Sequence, residues 1–341
     1  MSPPVAFGVA GLGHMLGDPV EVAQAAPDYT DDLDRVASWE YRRFHRAAPE
    51  VGLTDLAVDA GVRALAAAGV QAADVDLVVL AMSDIAEYLY WDPAAVAQSR
   101  LGATRAEALL LSQACGGGVA SFDVVAGKLA THPEYETALV IGANRVCEPY
   151  WNRMEINTSI FSDGAAAAVL RRGWGSCRWL ATEIITDGSY AGFMRMDVGG
   201  AARPFAGGER APSVRSPSDR LDDFFAGDVR RMFEFVATMR ARNREVVEVA
   251  CARAGVAPAD LRRVIHFNDN AKQLAEVARD LGVPPERTNL ELALEHAHLG
   301  CADQLFALEH HLEAGELEPG DLVALTSTAS GMHWVCTVLE V

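Results

Sequence analysis

The sequence lacks any run of about 18 apolar residues, the length a membrane-spanning helix requires, so no membrane span is expected. Its first stretch, Met1 to Gly17, lacks a basic segment followed by a cleavable apolar one. No signal peptide is expected, and the expected location is the cytoplasm. Positive charge is scarce as well. A formal charge of −18 argues against a nucleic-acid partner, because phosphate binding needs a basic footprint. Arginines cluster from Arg42 to Arg46 and between Arg230 and Arg244, where an acidic carrier protein could dock, although such runs are more often solvated faces. The six cysteines (Cys115, Cys147, Cys177, Cys251, Cys301 and Cys336) include no CxxC pair. Their spacing fits neither a zinc ribbon nor a disulfide framework, so each reads first as a small buried hydrophobe and no metal site is expected.

What is present is an ordinary globular composition: 341 residues, 50% hydrophobic and 22% charged. Single cores stop growing at about 250 to 300 residues, which leaves two domains or one large domain of two similar halves. A repeat favours the second arrangement. Ala68-Gly69-Val70, Ala73-Asp74 and the apolar run Val75 to Met82 recur as Ala254-Gly255-Val256, Ala259-Asp260 and Leu261 to Phe267, an offset of 186. The helix-like stretch Val119 to Leu129 and the strand-like Leu139-Val140-Ile141 recur as Leu305 to Leu312 and Leu322-Val323-Ala324, with an offset of 183.

Each unit reads as a helix, a short Gly/Pro/Asp loop and a buried strand, the pattern of parallel strands joined by helical crossovers in an α/β fold. The halves divide as residues 1–172 and 173–341. Between the repeats, about Gly188 to Asp228 is rich in Gly, Pro, Ser and Arg without apolar periodicity and reads as a loop or cap insertion.

The segment Ser112-Gln113-Ala114-Cys115-Gly116-Gly117-Gly118-Val119-Ala120-Ser121-Phe122 places a thiol at a strand-to-helix turn. Free N–H groups at a helix start favour the thiolate, the competent nucleophile. A buried turn cysteine beside packing glycines is the plainer alternative. Adding the offset of 183 to the cysteine gives His298, so the expected pseudo-symmetry mate of the thiol is an imidazole at the start of the equivalent helix. Two such helix starts can face each other, letting His298 serve as general base and acid to Cys115. Asp303, five residues on, would either orient that imidazole or cap the helix.

These motifs resemble the thiolase superfamily, specifically its ketoacyl-acyl-carrier-protein synthase III branch. Arg43-Phe44-His45-Arg46 resembles the early basic motif, Gln113-Ala114-Cys115 the nucleophile loop, and Ser159-Ile160-Phe161-Ser162-Asp163-Gly164-Ala165 the central stretch. Ser330-Gly331-Met332-His333-Trp334 resembles the Gly-rich C-terminal loop. The resemblance implies a thiolase fold, a five-layered αβαβα sandwich that is normally a homodimer. It also implies an oxyanion hole from the N–H groups of Cys115 and Ser330, and donor or carrier binding near Arg43 and Arg46. Acyl-CoA or a phosphopantetheinyl carrier would be substrate, with no permanently bound cofactor.

One departure decides the expected chemistry. Condensing members use Cys, His and Asn, the last two stabilising the enolate formed when a malonyl-thioester loses CO2. An ungapped count puts His298 at the Asn position and Phe267 at the His position, with Asn270 retained three residues later. A one-residue bulge would instead restore His266, adjacent to Phe267. With a thiolate and a base but no paired donors, the site resembles the acyl-transferring relatives of natural-product pathways. These pass an acyl group through the cysteine to a hydroxyl, an amine or a carrier thiol; decarboxylating condensation with malonyl-carrier protein is the alternative.

Other features carry less. His296, His310 and His311 lack a third convergent metal ligand and read as solvated helix residues. Gly8, Gly11 and Gly13 echo a dinucleotide fingerprint without its downstream helix and acidic residue, and read as a first strand ending in a turn. His333 and Asp163 are given no chemistry.

Overall fold

The computed structural model describes residues 5–150, 152–155, 158–196, 199–202, 204 and 217–341. In chain order the strands are β1 (Phe7–Leu16), β2 (Asp18–Glu21), β3 (Arg43–Arg46), β4 (Leu77–Met82), β5 (Glu107–Leu111), β6 (Thr137–Asn144), β7 (Gly164–Arg172), β8 (Arg178–Thr186), β9 (Leu261–Ile265), β10 (Leu322–Ala329) and β11 (His333–Glu340). Nine of them form one sheet in the order β5-β4-β6-β7-β1-β8-β11-β10-β9, and β2 pairs separately with β3.

The large sheet is two similar sheets joined at a narrow seam. On one side β4 runs parallel to β6, β6 antiparallel to β7, and β7 antiparallel to β1. On the other β9 runs parallel to β10, β10 antiparallel to β11, and β11 antiparallel to β8. Where the first half has β5 beside β4, the second has a single parallel bridge between Val264 and Thr288. The seam between β1 and β8 is the pair Gly8 and Arg178.

Hydrophobic burial sorts the helices into layers. Val119, Phe122, Val125 and Leu129 of the helix Gly117–Thr131 and Leu305, Phe306 and Leu308 of the helix Asp303–Glu313 share one core with residues of both half-sheets. The helix Leu53–Ala68 covers the outer face of the first half-sheet, and the helices Val229–Ala254 and Ala271–Leu281 the outer face of the second. The result is αβαβα. The alanines of β7 show why the central helices can approach closely: Ala166 and Ala168 face the central layer while Ala165 and Ala167 face the outer one, the period-two alternation of a strand buried on both sides.

Two local expectations change. β1 does not end in a turn after Gly13 but continues to Leu16, because the glycine lies under a helix. A Cβ at Gly13 would come within 2.4 Å of the Ala64 backbone nitrogen, so the bare backbone lets the helix Leu53–Ala68 settle on the strand. In the proposed insertion, residues 197–198, 203 and 205–216 lie outside the described residues. The described part is not all loop: Pro217–Phe225 is a helix. Phe193, Phe224, Phe225 and Phe235 meet there with ring centroids 5.0 to 6.5 Å apart.

Among the described residues no helix is long and apolar enough to cross a membrane, and no group of three or more potential ligands could hold a metal ion.

Candidate active site

Past β5 the chain reaches Ala114, whose φ of 44° is left-handed and costly for a residue with a side chain. That sharp turn opens the 3-10 segment Ala114–Gly116 and the helix Gly117–Thr131 behind it, so Cys115 stands at the start of a buried helix. Ser327 of β10 donates its hydroxyl to the Cys115 carbonyl at 3.0 Å and ties the turn to the second half.

The histidine arrives by a parallel device. Ala297, just before His298, is also left-handed at φ 53°. The His298 N–H donates to the Ile160 carbonyl at 2.8 Å, and the Ser162 N–H donates to the His298 carbonyl at 2.8 Å, so the imidazole hangs from a short β-bridge beside Phe161. The two turns touch where Gly118 has no side chain: a Cβ there would lie 2.1 Å from the Cys301 carbonyl oxygen.

These approaches bring Cys115 Sγ within 3.0 Å of His298 Nε2, while His298 Nδ1 lies 2.6 Å from Asp303 Oδ2. Asp303 is fully buried. Its carboxylate also accepts from the N–H groups of Leu299 and Asn268, both at 2.7 Å. It therefore accepts from Nδ1–H and leaves Nε2 aimed at the sulfur. Burial alone would lower the His298 pKa, yet the Cys115 thiolate and then the Asp303 carboxylate outweigh it and hold the imidazole well above its ordinary 6.5. The imidazole is thus buried between a sulfur and a carboxylate that both favour its protonated form.

The pair opens on a cavity of about 400 Å³ lined by Phe161, Phe193, Phe235, Phe267, Ser330 and Asp269 among others. The Phe161 and Phe267 rings lie 4.8 and 5.1 Å from the His298 ring and wall it on two sides. Ser330 follows β10 in the turn beside Cys115, on the cavity wall.

His266 also lines the cavity, but its Nδ1 is engaged with Thr326 Oγ1 at 2.7 Å. Burial, and then the charge of His298, push its pKa down to about 3, so it stands neutral. Both residues of the ambiguous pair are thus present: Phe267 packs on the catalytic-type imidazole and His266 lies beside it, their ring centroids 4.5 Å apart. Asn270 is turned to structure. Its Oδ1 caps the helix Ala271–Leu281 by accepting from the Gln273 N–H at 3.0 Å, and its Nδ2 donates to the Thr158 carbonyl.

Arg43 and Arg46 sit on β3 and do not line this cavity. Arg43 pairs with Glu21 and Glu295, and Arg46 with Glu148. Both guanidiniums are committed to carboxylates within the chain.

Two readings of the sequence need correction. The 3-10 turns are Ala114–Gly116 and Gly300–Ala302, so the residue in the place of Cys115 is Cys301, and His298 comes a turn earlier. The offset slips because the left-handed entry residue and the helix start are three residues further apart in the second half. Cys301 is sealed in: burial pushes its thiol up to about 12. The remaining histidines are not solvated helix residues either. His311 is buried against Glu316, and His296 accepts or donates at 2.9 Å to His45 Nε2.

Sequence reasoning passed over Asp269. The only signal for it was position: a carboxylic acid in the loop that leaves the C-terminal end of a buried parallel strand, one residue before Asn270.

The family described as 3-oxoacyl-[acyl-carrier-protein] synthase III matches residues 111–188, and its C-terminal part matches residues 251–341. The chain is 31% identical over 288 residues to a beta-ketoacyl-[acyl-carrier-protein] synthase III of Gloeobacter violaceus, covering 84% of this chain and 83% of that protein. Among solved structures it superposes on a 3-oxoacyl-(acyl carrier protein) synthase III from Pseudomonas aeruginosa with a TM-score of 0.79 at 27% identity, covering 98% of both chains. It superposes on the acyltransferase ChlB3 with a TM-score of 0.85 at 24% identity, covering 99% and 98%. Fold and site together define a transferase-type enzyme of the thiolase fold. Within that class the chain belongs to the 3-oxoacyl-acyl-carrier-protein synthase III family.

Proposed function

We propose that this enzyme is an acyltransferase of natural-product biosynthesis, moving an acyl group from acyl-CoA or an acyl-carrier protein through Cys115 to a hydroxyl, amine or carrier-thiol acceptor. The carrying observation is the buried relay of Cys115 Sγ, His298 and Asp303, with contacts of 3.0 and 2.6 Å. The thiolate attacks the thioester carbonyl and forms a new C–S bond. The N–H groups of Cys115 and Ser330 would hold the oxyanion. As the intermediate collapses, the donor thiolate departs and takes the proton from His298 Nε2. His298, now neutral and oriented by Asp303, then removes the proton of the acceptor as it attacks the acyl-cysteine, and Cys115 leaves as thiolate. Neither CoA nor a carrier is a resident cofactor in this cycle; each is substrate.

Enolate chemistry finds weaker support. It needs paired donors aimed at a developing negative oxygen, whereas His298 is tied between sulfur and carboxylate, which leaves His266 as the single imidazole for that task. A condensing reading still draws on family membership and on the presence of His266 in the cavity wall. As a homodimer, the protein would have a natural seam at β5, an open edge of the large sheet where Leu110 is exposed.

The test is intact-mass analysis with a panel of acyl-CoA donors. A single acyl adduct should form on the wild-type protein and vanish in Cys115→Ala. His298→Ala should slow transfer to acceptor at least as much as acylation. CO2 release from malonyl-thioester coupled to chain extension would replace this reading by condensation.

A further inference from the structure

Beside the relay the cavity holds a second buried carboxylate that the cycle above does not use. Asp269 is 7% exposed and lines the cavity together with Cys115, His298 and Phe267. Its Oδ1 accepts from the Ser159 hydroxyl at 2.9 Å, from the Asn270 N–H at 2.8 Å and, more weakly, from the Thr158 hydroxyl at 3.4 Å. All these bonds fall on one oxygen. Burial raises the Asp269 pKa from its ordinary value, and the Asn270 N–H, the Ser159 hydroxyl and the charge of His298 act against that rise without cancelling it.

Resting on the acyltransfer reading, we propose that Asp269 selects the second substrate: its carboxylate takes a hydrogen-bond donor or positive charge carried by the acceptor and repels an acceptor that carries a carboxylate. The charge count after acylation is the reason. Once Cys115 is a thioester its negative charge is gone, and His298 must be neutral to act as base. The deep end of the cavity then holds two carboxyl groups, Asp303 and Asp269, of which only Asp303 is saturated by the relay and its two N–H donors, and a cation on the acceptor gives Asp269 the positive neighbour that His298 no longer supplies.

Cations at the mouth do not reverse that sign. Arg240 is paired with Asp280 and Arg244 with Glu248, and the carboxylate of Glu276 lines the same opening. An amino- or hydroxyl-bearing nucleophile is favoured at the acyl-enzyme. A malonyl-type thioester must instead bring its carboxylate up against Asp269 and Asp303 with no cation of its own to offset them.

Three small thiols of similar size probe this directly as surrogate acceptors: cysteamine, 2-mercaptoethanol and 3-mercaptopropionate, carrying a cation, a neutral hydroxyl and an anion. For each, the thiol proton passes to His298 Nε2, the sulfur attacks the Cys115 acyl carbonyl, and the Cys115 C–S bond breaks. Decay of the acyl mass adduct reads the rate. With each thiol's own basicity divided out, the wild type should prefer cysteamine to 3-mercaptopropionate by about tenfold or more, the effect of one nearby charge at an intermediate permittivity. Asp269→Asn keeps the shape and the acceptor oxygen and should bring the ratio close to one; Asp269→Glu should restore it. A wild-type ratio near one overturns the proposal without any variant. An unchanged ratio in Asp269→Asn also overturns it, making the residue a structural tie between the Ser159 and Asn270 loops. Failure to form the Cys115 adduct at all removes the acyltransfer reading itself, and this proposal with it.

Discussion

Asp303 is worth singling out among the residues because its oxygens are divided between two tasks. Oδ2 meets His298 Nδ1 and the Asn268 N–H, and Oδ1 meets the Leu299 N–H, so it orients the imidazole and pins the loops on either side of it. Asp303→Asn should leave the fold intact by circular dichroism yet slow acyl transfer by about 10² to 10⁴-fold, since an amide can present the wrong hydrogen to Nδ1 and cannot balance an imidazolium. Unchanged turnover would reduce Asp303 to a loop tie. Cys115, His298 and Asp303 were legible because chemistry-bearing residues stand at the entries to two repeated helices, although the offset of 183 that led to His298 slips by a turn and the true mate of Cys115 is Cys301. Asp269 was not legible. Its meaning depends on a cavity wall assembled from the Ser159 loop, the Phe267 loop and the Cys115 turn, which no single stretch of chain encodes.

At the scale of elements, the helix starts and the strands they follow decide whether sulfur and imidazole meet. Gly118 is the tightest point of that meeting. Gly118→Ala would drive a methyl into the Cys301 carbonyl, an overpacking expected to cost about 2 to 3 kcal/mol. Thermal unfolding should show the loss as a lower Tm, and alkylation of Cys115 should slow or lose its selectivity as His298 is pushed away; an unaltered Tm would mean the two turns can separate freely.

The buried strands β4, β6, β9 and β10 were readable because continuous aliphatic runs between turn residues have few alternatives to a parallel, doubly covered sheet. The extension of β1 through its glycines was not readable. Glycine usually signals a turn, and only the helix lying across it explains why here it marks a close approach. The helix Pro217–Phe225 went unread because its apolar set is only Leu221, Phe224 and Phe225, at i, i+3, i+4 spacing, set after a Gly-, Pro- and Ser-rich stretch; Phe224 and Phe225 pack on Phe193 and Phe235.

Taken as a whole, the molecule buries several histidines uncharged. Burial and then the charge of His298 hold His266 at about 3. Burial with the neighbouring His45 and His310 holds His296 at about 4, and burial with the charge of Arg263 holds His311 at about 4. A depressed histidine contributes stability above its unfolded value near 6.5, and that contribution fades as pH falls toward the folded value. His298 works in the opposite sense, its contribution being complete below about 6.5 and lost only as pH rises through its elevated folded value. Between pH 6.5 and about 4 the depressed group therefore dominates. Stability should fall across that window by up to about 1.4 kcal/mol per pH unit for a fully buried histidine, seen as a falling Tm, and His266→Gln should flatten the slope. A flat Tm through the window would show that these imidazoles reach water.

The half-sheets meet edge to edge at a short seam, where Gly8 pairs with Arg178 and the Val9 N–H donates to the Cys177 carbonyl, yet each contributes one partner of the sulfur–nitrogen contact. A nascent chain with a single half docked would carry a cysteine with nothing to share or accept its proton. Such a molecule could not load an acyl group and then waste it on water: chemical competence arrives only with the last step of assembly.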